Sequence, residues 1–278
     1  SSNCTVLGSY QLSAFRSSAV NNASSWVFTG QMLAAASALD NVKGSIVPAG
    51  SGSNVWAVYA YAGNVAGRKY TGIWSVQSLI YNSGSLKLNT DNSPPSVVVD
   101  GKGVVHVIYG TSYRWGSNSI PRLQYSHNNT GLTTFTAGLE LPDPLEPYTV
   151  GDYYPTISLD ASTGNLFVFW IRCNSTYALI TVMGSMCVSG TWSYITIAPQ
   201  TNFTKQYLTS VYSVSGESKI CWQWTQNTTA PSEVWFDDIQ IPEFGSLIIP
   251  TVGLIVMFAV RIRGSRRKDS RFDQQTLF

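Results

Sequence analysis

The chain has 278 residues, 12% of them charged and 13% aromatic, enough to bury a sizeable core in one large domain or two ordinary ones. Its formal charge of +2 divides unevenly, with 11 Lys+Arg against 13 Asp+Glu over residues 1–243 and 6 against 2 over residues 244–278. The basicity belongs to the tail, so the body lacks the basic face that a nucleic-acid partner needs, and no such partner is expected.

From the N-terminus, Tyr10–Phe15 and Trp26–Thr29 read as short strands. One pattern then occurs four times: a short strand, a Gly-containing turn, and a strongly apolar second strand ending on an aromatic residue. Ser45–Val47 leads through Gly50 and Gly52 into Val55–Tyr59, and Ser96–Asp100 leads through Gly101 and Gly103 into Val104–Tyr109. Thr156–Asp160 leads through Gly164 into Leu166–Trp170, and Thr209–Val214 leads through Gly216 into Lys219–Trp224. The repeats recur at about 50, 60 and 53 residues. A third β-like run follows each of them: Gly72–Gln77, Arg122–Ser126, Ala178–Val182 and Val234–Phe236. A weaker fourth run follows in two, near Thr133–Leu141 and Trp192–Ile197.

Four strands per roughly 50 residues is the unit of a β-propeller. Inner strands of such blades are buried on both faces, so they read as unbroken apolar runs instead of alternating ones. The fold class expected is all-β, a β-propeller of four-stranded blades, incomplete in this chain, plus one C-terminal transmembrane helix. Residues 1–240 form the blades, and blades preceding Ser1 are expected. Asp100 and Asp160 are placed to accept hydrogen bonds from the backbone of the first turns, where Gly supplies positive φ. An Asp-lined Ca²⁺ site stays open at these positions; no other cofactor or metal is expected.

Pro95–Asp100 with Val105–Tyr109, and Pro155–Asp160 with Phe167–Trp170, resemble the repeats of sialidase-like propellers of the Asp-box or BNR type. The resemblance extends over residues 45–238. Ser158 stands two before Asp160, as that box requires, but Gly164 comes four after, and Val98 occupies the Ser/Thr position before Asp100. The boxes are degenerate and speak for fold. That family's activity uses an arginine cluster, a Tyr nucleophile and two carboxyl groups, and no residue here matches its catalytic motif position by position. Catalytic residues are therefore unassigned.

In a propeller, loops between second and third strands and loops between blades gather on one face. That places Arg68, Tyr70, Arg114, Trp115 and Arg172 at or beside a common rim, joined by Glu146, Asp152, Tyr153 and Tyr154 from the long segment before the third repeat. Aromatics and Arg at such a rim suit a glycan or a surface protein by stacking and bidentate hydrogen bonding. His106, inside an apolar strand, reads as a satisfied core residue, and His127 as solvated in a turn. Cys4, Cys173, Cys187 and Cys221 lack metal-ligand spacing; they are read either as buried free thiols or as disulfides, for which three pairings are open. Six Asn-x-Ser/Thr triplets begin at Asn3, Asn22, Asn128, Asn174, Asn202 and Asn227, fitting an exported, glycosylated domain.

Phe244–Val260 is an uncharged apolar run of 17 residues followed by Arg261 and Arg263. As a helix it spans about 25 Å, lengthened by arginine snorkelling toward a hydrocarbon core of about 30 Å. Residues 241–263 hold this segment and 264–278 a basic tail. The tail resists translocation, which sets it in the cytoplasm, the body outside and the chain at the cell surface in membrane lipid. Pro242, Glu243, Phe244 and Gly245, the apolar run and the basic cluster together resemble the sorting signal read by archaeosortases. The resemblance implies an archaeal-type envelope, an archaeosortase partner and cleavage near the box. Asp269–Phe278 runs past the usual end of such signals, which keeps an uncleaved anchor open. The function expected is a surface-anchored propeller that binds a glycan or protein or scaffolds the envelope, with a sialidase-like glycoside hydrolase as the alternative.

Overall fold

A computed structural model describes residues 2–4, 10–17, 24–31, 43–49, 54–61, 64–82, 94–115, 118–128, 134–141, 151–173, 179–195, 197, 204–214, 219–227 and 233–240. The chain divides into two units, Ser1–Ile239 and Gln240–Phe278. The second lies outside the described residues except for Gln240, so the sorting box Pro242–Gly245 and the apolar run Phe244–Val260 fall there too. Among the described residues no helix is long and apolar enough to cross a membrane.

The first unit is a succession of sheets in chain order. The first sheet holds β1 (Ser2–Cys4), β2 (Tyr10–Ser17) and β3 (Trp26–Gln31). The second holds β4 (Lys43–Pro48), β5 (Val55–Tyr61), β6 (Asn64–Tyr70) and β7 (Ser78–Asn82). The third holds β8 (Ser96–Val99), β9 (Val105–Trp115), β10 (Asn118–His127) and β11 (Leu139–Glu140). The fourth is built on β12 (Asp152–Asp160), β13 (Leu166–Cys173), β14 (Leu179–Val188) and β15 (Thr191–Ile195). A fifth joins β16 (Thr204–Ser210), β18 (Lys219–Asn227) and β19 (Glu233–Gln240), while β17 (Ser213–Val214) pairs in parallel with the end of β12. Each of the three middle sheets is thus a four-stranded meander, as the repeat predicts, with β17 added to the fourth.

Two expected strands are displaced: in the fifth sheet the place expected for Thr209–Val214 is taken by Thr204–Ser210, while Ser213–Val214 joins the fourth sheet, and in the second sheet the third strand moves. Gly72–Gln77 is not the third strand of its sheet; that place belongs to Asn64–Tyr70, laddered from Tyr61↔Asn64 to Val55↔Tyr70. The chain turns at Gly72 (φ 102°), Trp74 bridges back to Tyr70, and the Ser75 amide donates to the Lys69 carbonyl at 2.8 Å. Arg68 and Lys69 make the true strand look polar. It is a central strand all the same: Val65, Ala66 and Tyr70 are buried, and it is laddered to β5 along its whole length.

The first strands of successive sheets stand side by side. The Ile157 amide of β12 donates to Ser96 Oγ of β8 at 3.2 Å, and Thr156 Oγ1 lies 2.8 Å from Ser210 Oγ of β16. Ser158 Oγ also donates to Ser210 Oγ at 2.7 Å. Past β16, the Tyr212 hydroxyl accepts from the Val99 amide at 3.1 Å and reaches the Val99 carbonyl at 3.3 Å, tying the third sheet to the fifth beneath β12. Small hydroxyl residues let these strands approach closely.

Between sheets the packing is apolar. Trp56, Val58 and Val65 of the second sheet meet Val97, Val105, Val107 and Tyr109 of the third. Ile108, Leu123 and Tyr125 meet Leu166, Val168 and Trp170 of the fourth. On the other face of β13, Phe169 stacks on Trp222 of the fifth sheet with ring centroids 4.4 Å apart. All eight residues of β13 are buried, which explains its unbroken apolar sequence. Burying aromatic side chains of this size contributes about 2–3 kcal/mol each.

Candidate ligand site at the upper strand ends

The first strand of each sheet defines two ends: an upper end where it begins and a lower end where it turns into its second strand. The lower end is assembled from turns. Asp100 Oδ1 accepts from the amides of Lys102 (2.9 Å) and Val104 (2.8 Å), and Gly103 has φ 80°. Asp160 Oδ1 accepts from the Ser162 amide (2.9 Å) and hydroxyl (2.6 Å), its Oδ2 takes the Thr163 hydroxyl, and Gly164 has φ 77°. Both acids cap their turns, as the sequence predicts. Burial alone would raise the Asp160 pKa, but the hydroxyls and amides of Ser162 and Thr163 outweigh it and hold the acid below the usual carboxylate range.

Between the two capped turns lies a cavity of about 720 Å³ lined by Asp100, His106, Tyr125, His127 and Cys187, among others. His106 Nδ1 is 2.6 Å from the Tyr125 hydroxyl and its Nε2 is 3.5 Å from Asp100 Oδ2. Burial lowers the His106 pKa more than Asp100 raises it, which leaves a neutral, satisfied ring as expected. His127 is a correction: it ends β10 half-buried beside Tyr125, its Nδ1 is 3.1 Å from the Asn128 carbonyl, and it is not a solvated turn residue. Asn128, the first residue of one of the Asn-x-Ser/Thr triplets, is 2% exposed, and its Oδ1 accepts from the Val105 amide at 2.7 Å. Of the other triplets, Asn3 lies in β1 and Asn227 ends β18, while Asn22, Asn174 and Asn202 lie outside the described residues. Cys173 and Cys187 are buried free thiols and Cys221 an exposed one. Among the described residues no three His, Cys, Asp or Glu gather into a metal-binding group.

The upper end is different in kind. Asp152 begins β12 and pairs in register with Arg172 near the end of β13. Arg172 Nε donates to Asp152 Oδ1 at 2.9 Å, and both side chains are under 10% exposed. Burial, with the positive charge of Arg122 next, pushes the Arg172 pKa down to about 10. Arg122 is itself 4% exposed and stands opposite Thr111, three residues above the Ser96↔Ile108 pair at the start of β8. Lys205, the second residue of β16, stands opposite Gln226; both are 3% exposed, and burial drives the Lys205 pKa down to about 8. The parallel pairing Leu159↔Ser213 sets Lys205 level with the start of β12. Three buried cations and one buried carboxylate therefore stand at this end among the described residues. Burying such groups is costly unless they are paired and hydrogen-bonded, as Arg172 and Asp152 are with each other.

The backbone is also unusual here. Tyr154 (φ 52°) and Tyr207 (φ 53°) occupy the left-handed region, at register slips between Tyr153 and Thr156 and between Gln206 and Thr209. Each costs about 1 kcal/mol or more. Their rings lie 5.7 Å apart at 54°. Tyr154 is buried, and Tyr207 is 66% exposed.

Of the residues predicted for the rim, Asp152, Tyr154 and Arg172 come together here, and Tyr153 sits half-buried beside them opposite Ile171. Arg114 and Trp115 end β9 above Arg122, their side chains outside the description, and Glu146 lies outside the described residues. Arg68 sits mid-strand opposite Ala57 and contacts the Tyr59 hydroxyl. Tyr70 lies opposite Val55 at the lower end, so β6 carries it away from the group. Arg122, Lys205, Tyr207 and Gln226 escaped sequence reasoning. One signal could have found two of them: Asp152-x-Tyr154 recurs 53 residues later as Lys205-x-Tyr207, a charged residue two before a tyrosine at the start of two successive sheets.

No family model matches the chain, and no curated protein matches it in sequence. Solved structures do match in fold. A Penicillium chrysogenum alpha-L-arabinanase complexed with arabinobiose aligns with a TM-score of 0.57 at 13% identity, over 86% of this chain and 69% of its own. Trypanosoma rangeli sialidase in complex with the inhibitor DANA gives 0.51 at 12%, over 84% and 42%, and a Hadza microbial sialidase gives 0.51 at 12%, over 72% and 46%. The chain spans less than half the length of these two sialidases. At such identity the likeness shows the fold alone, the β-propeller architecture of the sialidases and arabinanases.

Proposed function

We propose that this protein is a surface-displayed propeller that binds a glycan at its upper end, and that the glycan carries a carboxylate. One observation carries the reading: Asp152, its partner Arg172, the neighbouring Arg122, and Lys205 are all buried at the end where the first strands begin. A buried guanidinium or ammonium gains most from an anionic ligand in a site poor in water, and a planar carboxylate suits the fork of Arg172. Neighbours of the same fold act on glycans, which supports the ligand class. Anchorage by Phe244–Val260, and sorting at Pro242–Gly245, complete the proposal and give the site its extracellular setting. The test is calorimetric titration of the full chain in mild detergent with sialyllactose, trigalacturonic acid and neutral lactose. Binding of a carboxylated probe, weakened about tenfold or more by Arg122→Met, is the expected result. Equal affinity for lactose would remove the acidic-glycan reading.

A glycoside hydrolase on the same fold is the second reading, favoured by Asp152 at the mouth. It requires a second carboxyl about 5–10 Å away, for which Glu146 is the sequence candidate. Release of fluorophore from 4-methylumbelliferyl glycosides, abolished by Glu146→Gln, would establish it; a flat trace with tight probe binding favours the lectin-like reading.

A further inference from the structure

We infer that Tyr154 and Tyr207 form an aromatic wall against which a sugar ring of the bound glycan packs, an assignment that rests on the glycan reading above. The two tyrosines are equivalent residues of successive sheets, 53 positions apart, each two residues after a buried charged side chain. Both sit in a backbone conformation that glycine adopts without strain; the other positive-φ positions among the described residues are Gly72, Gly103, Gly164 and Gly190 and one small residue, Ser189 in a turn. At these two bulges the chain carries a large aromatic ring instead. β-bulges re-aim side chains next to sites, and here the result is a pair of rings 5.7 Å apart, the inner one buried and the outer one 66% exposed.

Packing against Tyr154 holds the Tyr207 ring in place while one of its faces stays open. The open ring stands two residues along β16 from Lys205, and through Tyr154 it adjoins the start of β12 that carries Asp152. A pyranose presents exactly such a division of labour: an apolar C–H face for a ring, and hydroxyl or carboxylate edges for charged partners. Binding sites of this kind join aromatic walls to a few fixed polar groups. Two tyrosines also order at low entropic cost, since each has few rotatable bonds.

The distinguishing experiment uses the full chain in mild detergent, with Tyr207→Gly and Tyr207→Phe compared by thermal melting and by titration with sialyllactose and trigalacturonic acid. Glycine relieves the left-handed strain, so Tyr207→Gly should melt no lower than the parent yet bind about tenfold weaker. Tyr207→Phe keeps the ring and should bind within roughly twofold of the parent. Tyr207→Gly binding as tightly as the parent would overturn the wall while leaving the charged site intact. A parent chain that binds neither probe nor lactose would instead overturn the glycan reading, and the wall with it.

Discussion

The two ends of the same strands obey different rules. At the lower end each acid is spent on its own turn: Asp100 and Asp160 accept backbone amides, and His106 sits neutral between Asp100 and Tyr125. At the upper end Asp152, Arg172, Arg122 and Lys205 are buried, and the backbone twice enters the left-handed region on a tyrosine. Turn chemistry accounts for the first arrangement. The second joins buried charge to left-handed backbone, a combination that clusters at functional sites. A fold built from one repeated unit can thus use one end for holding its hairpins and the other for recognition.

That contrast can be broken most sharply at Asp152. Asp152→Ala removes the carboxylate beside a buried guanidinium, and should lower unfolding free energy by about 4 kcal/mol in urea titrations. Loss of less than about 1 kcal/mol, the range of a surface pair, would mean that Arg172 is solvated in practice and the upper end is ordinary surface.

Lys205 gives the next largest effect and a pH signature. Its folded pKa of about 8 lies below the ordinary lysine value of about 10.4, so holding it charged costs the fold about 3 kcal/mol near neutral pH. In the window between these values the unfolded chain binds more protons, so stability should rise with pH there. Lys205→Met should stabilise the protein at neutral pH and flatten that rise. Affinity for a carboxylated probe should run the other way, falling as pH climbs through about 8 and the ammonium loses its proton. Opposed slopes of stability and affinity would be hard to explain for a lysine with a structural role. A slope that survives in Lys205→Met would assign the titration to another group.

How far the sequence foretells all this depends on which force marks the residues. Strands buried on both faces, such as Leu166–Cys173, announce themselves by apolar runs, and the capped turns by Asp followed by Gly. Asn64–Tyr70 is hard to read because Asn64, Arg68 and Lys69 interrupt its buried Val65, Ala66 and Tyr70. Lys205 was hidden for a related reason. Thr204–Tyr207 reads as polar, and the burial of Lys205 within it belongs to a strand that packs against the fourth sheet, a contact that sequence pattern does not encode. Positive φ at Tyr154 and Tyr207 arises from register slips between paired strands. Only the 53-residue echo of Asp152-x-Tyr154 leaves a trace of it in the chain.

The smallest expected effect belongs to the lower end, at Asp160. Asp160→Ala deletes the acceptor for the Ser162 amide, the Ser162 hydroxyl and the Thr163 hydroxyl, and should cost about 1–2 kcal/mol, the range for a lost cap. Since the folded carboxyl is held below the usual range, its contribution is present above about pH 4 and drains away as pH falls through the lower folded value. Asp160→Asn should therefore show a shallower loss of stability on acidification while its probe binding matches the parent. Unchanged binding is the informative half. If Asp160→Asn weakened probe binding as much as Arg122→Met, recognition would extend through the whole strand, and the separation of a holding end from a recognising end would fail.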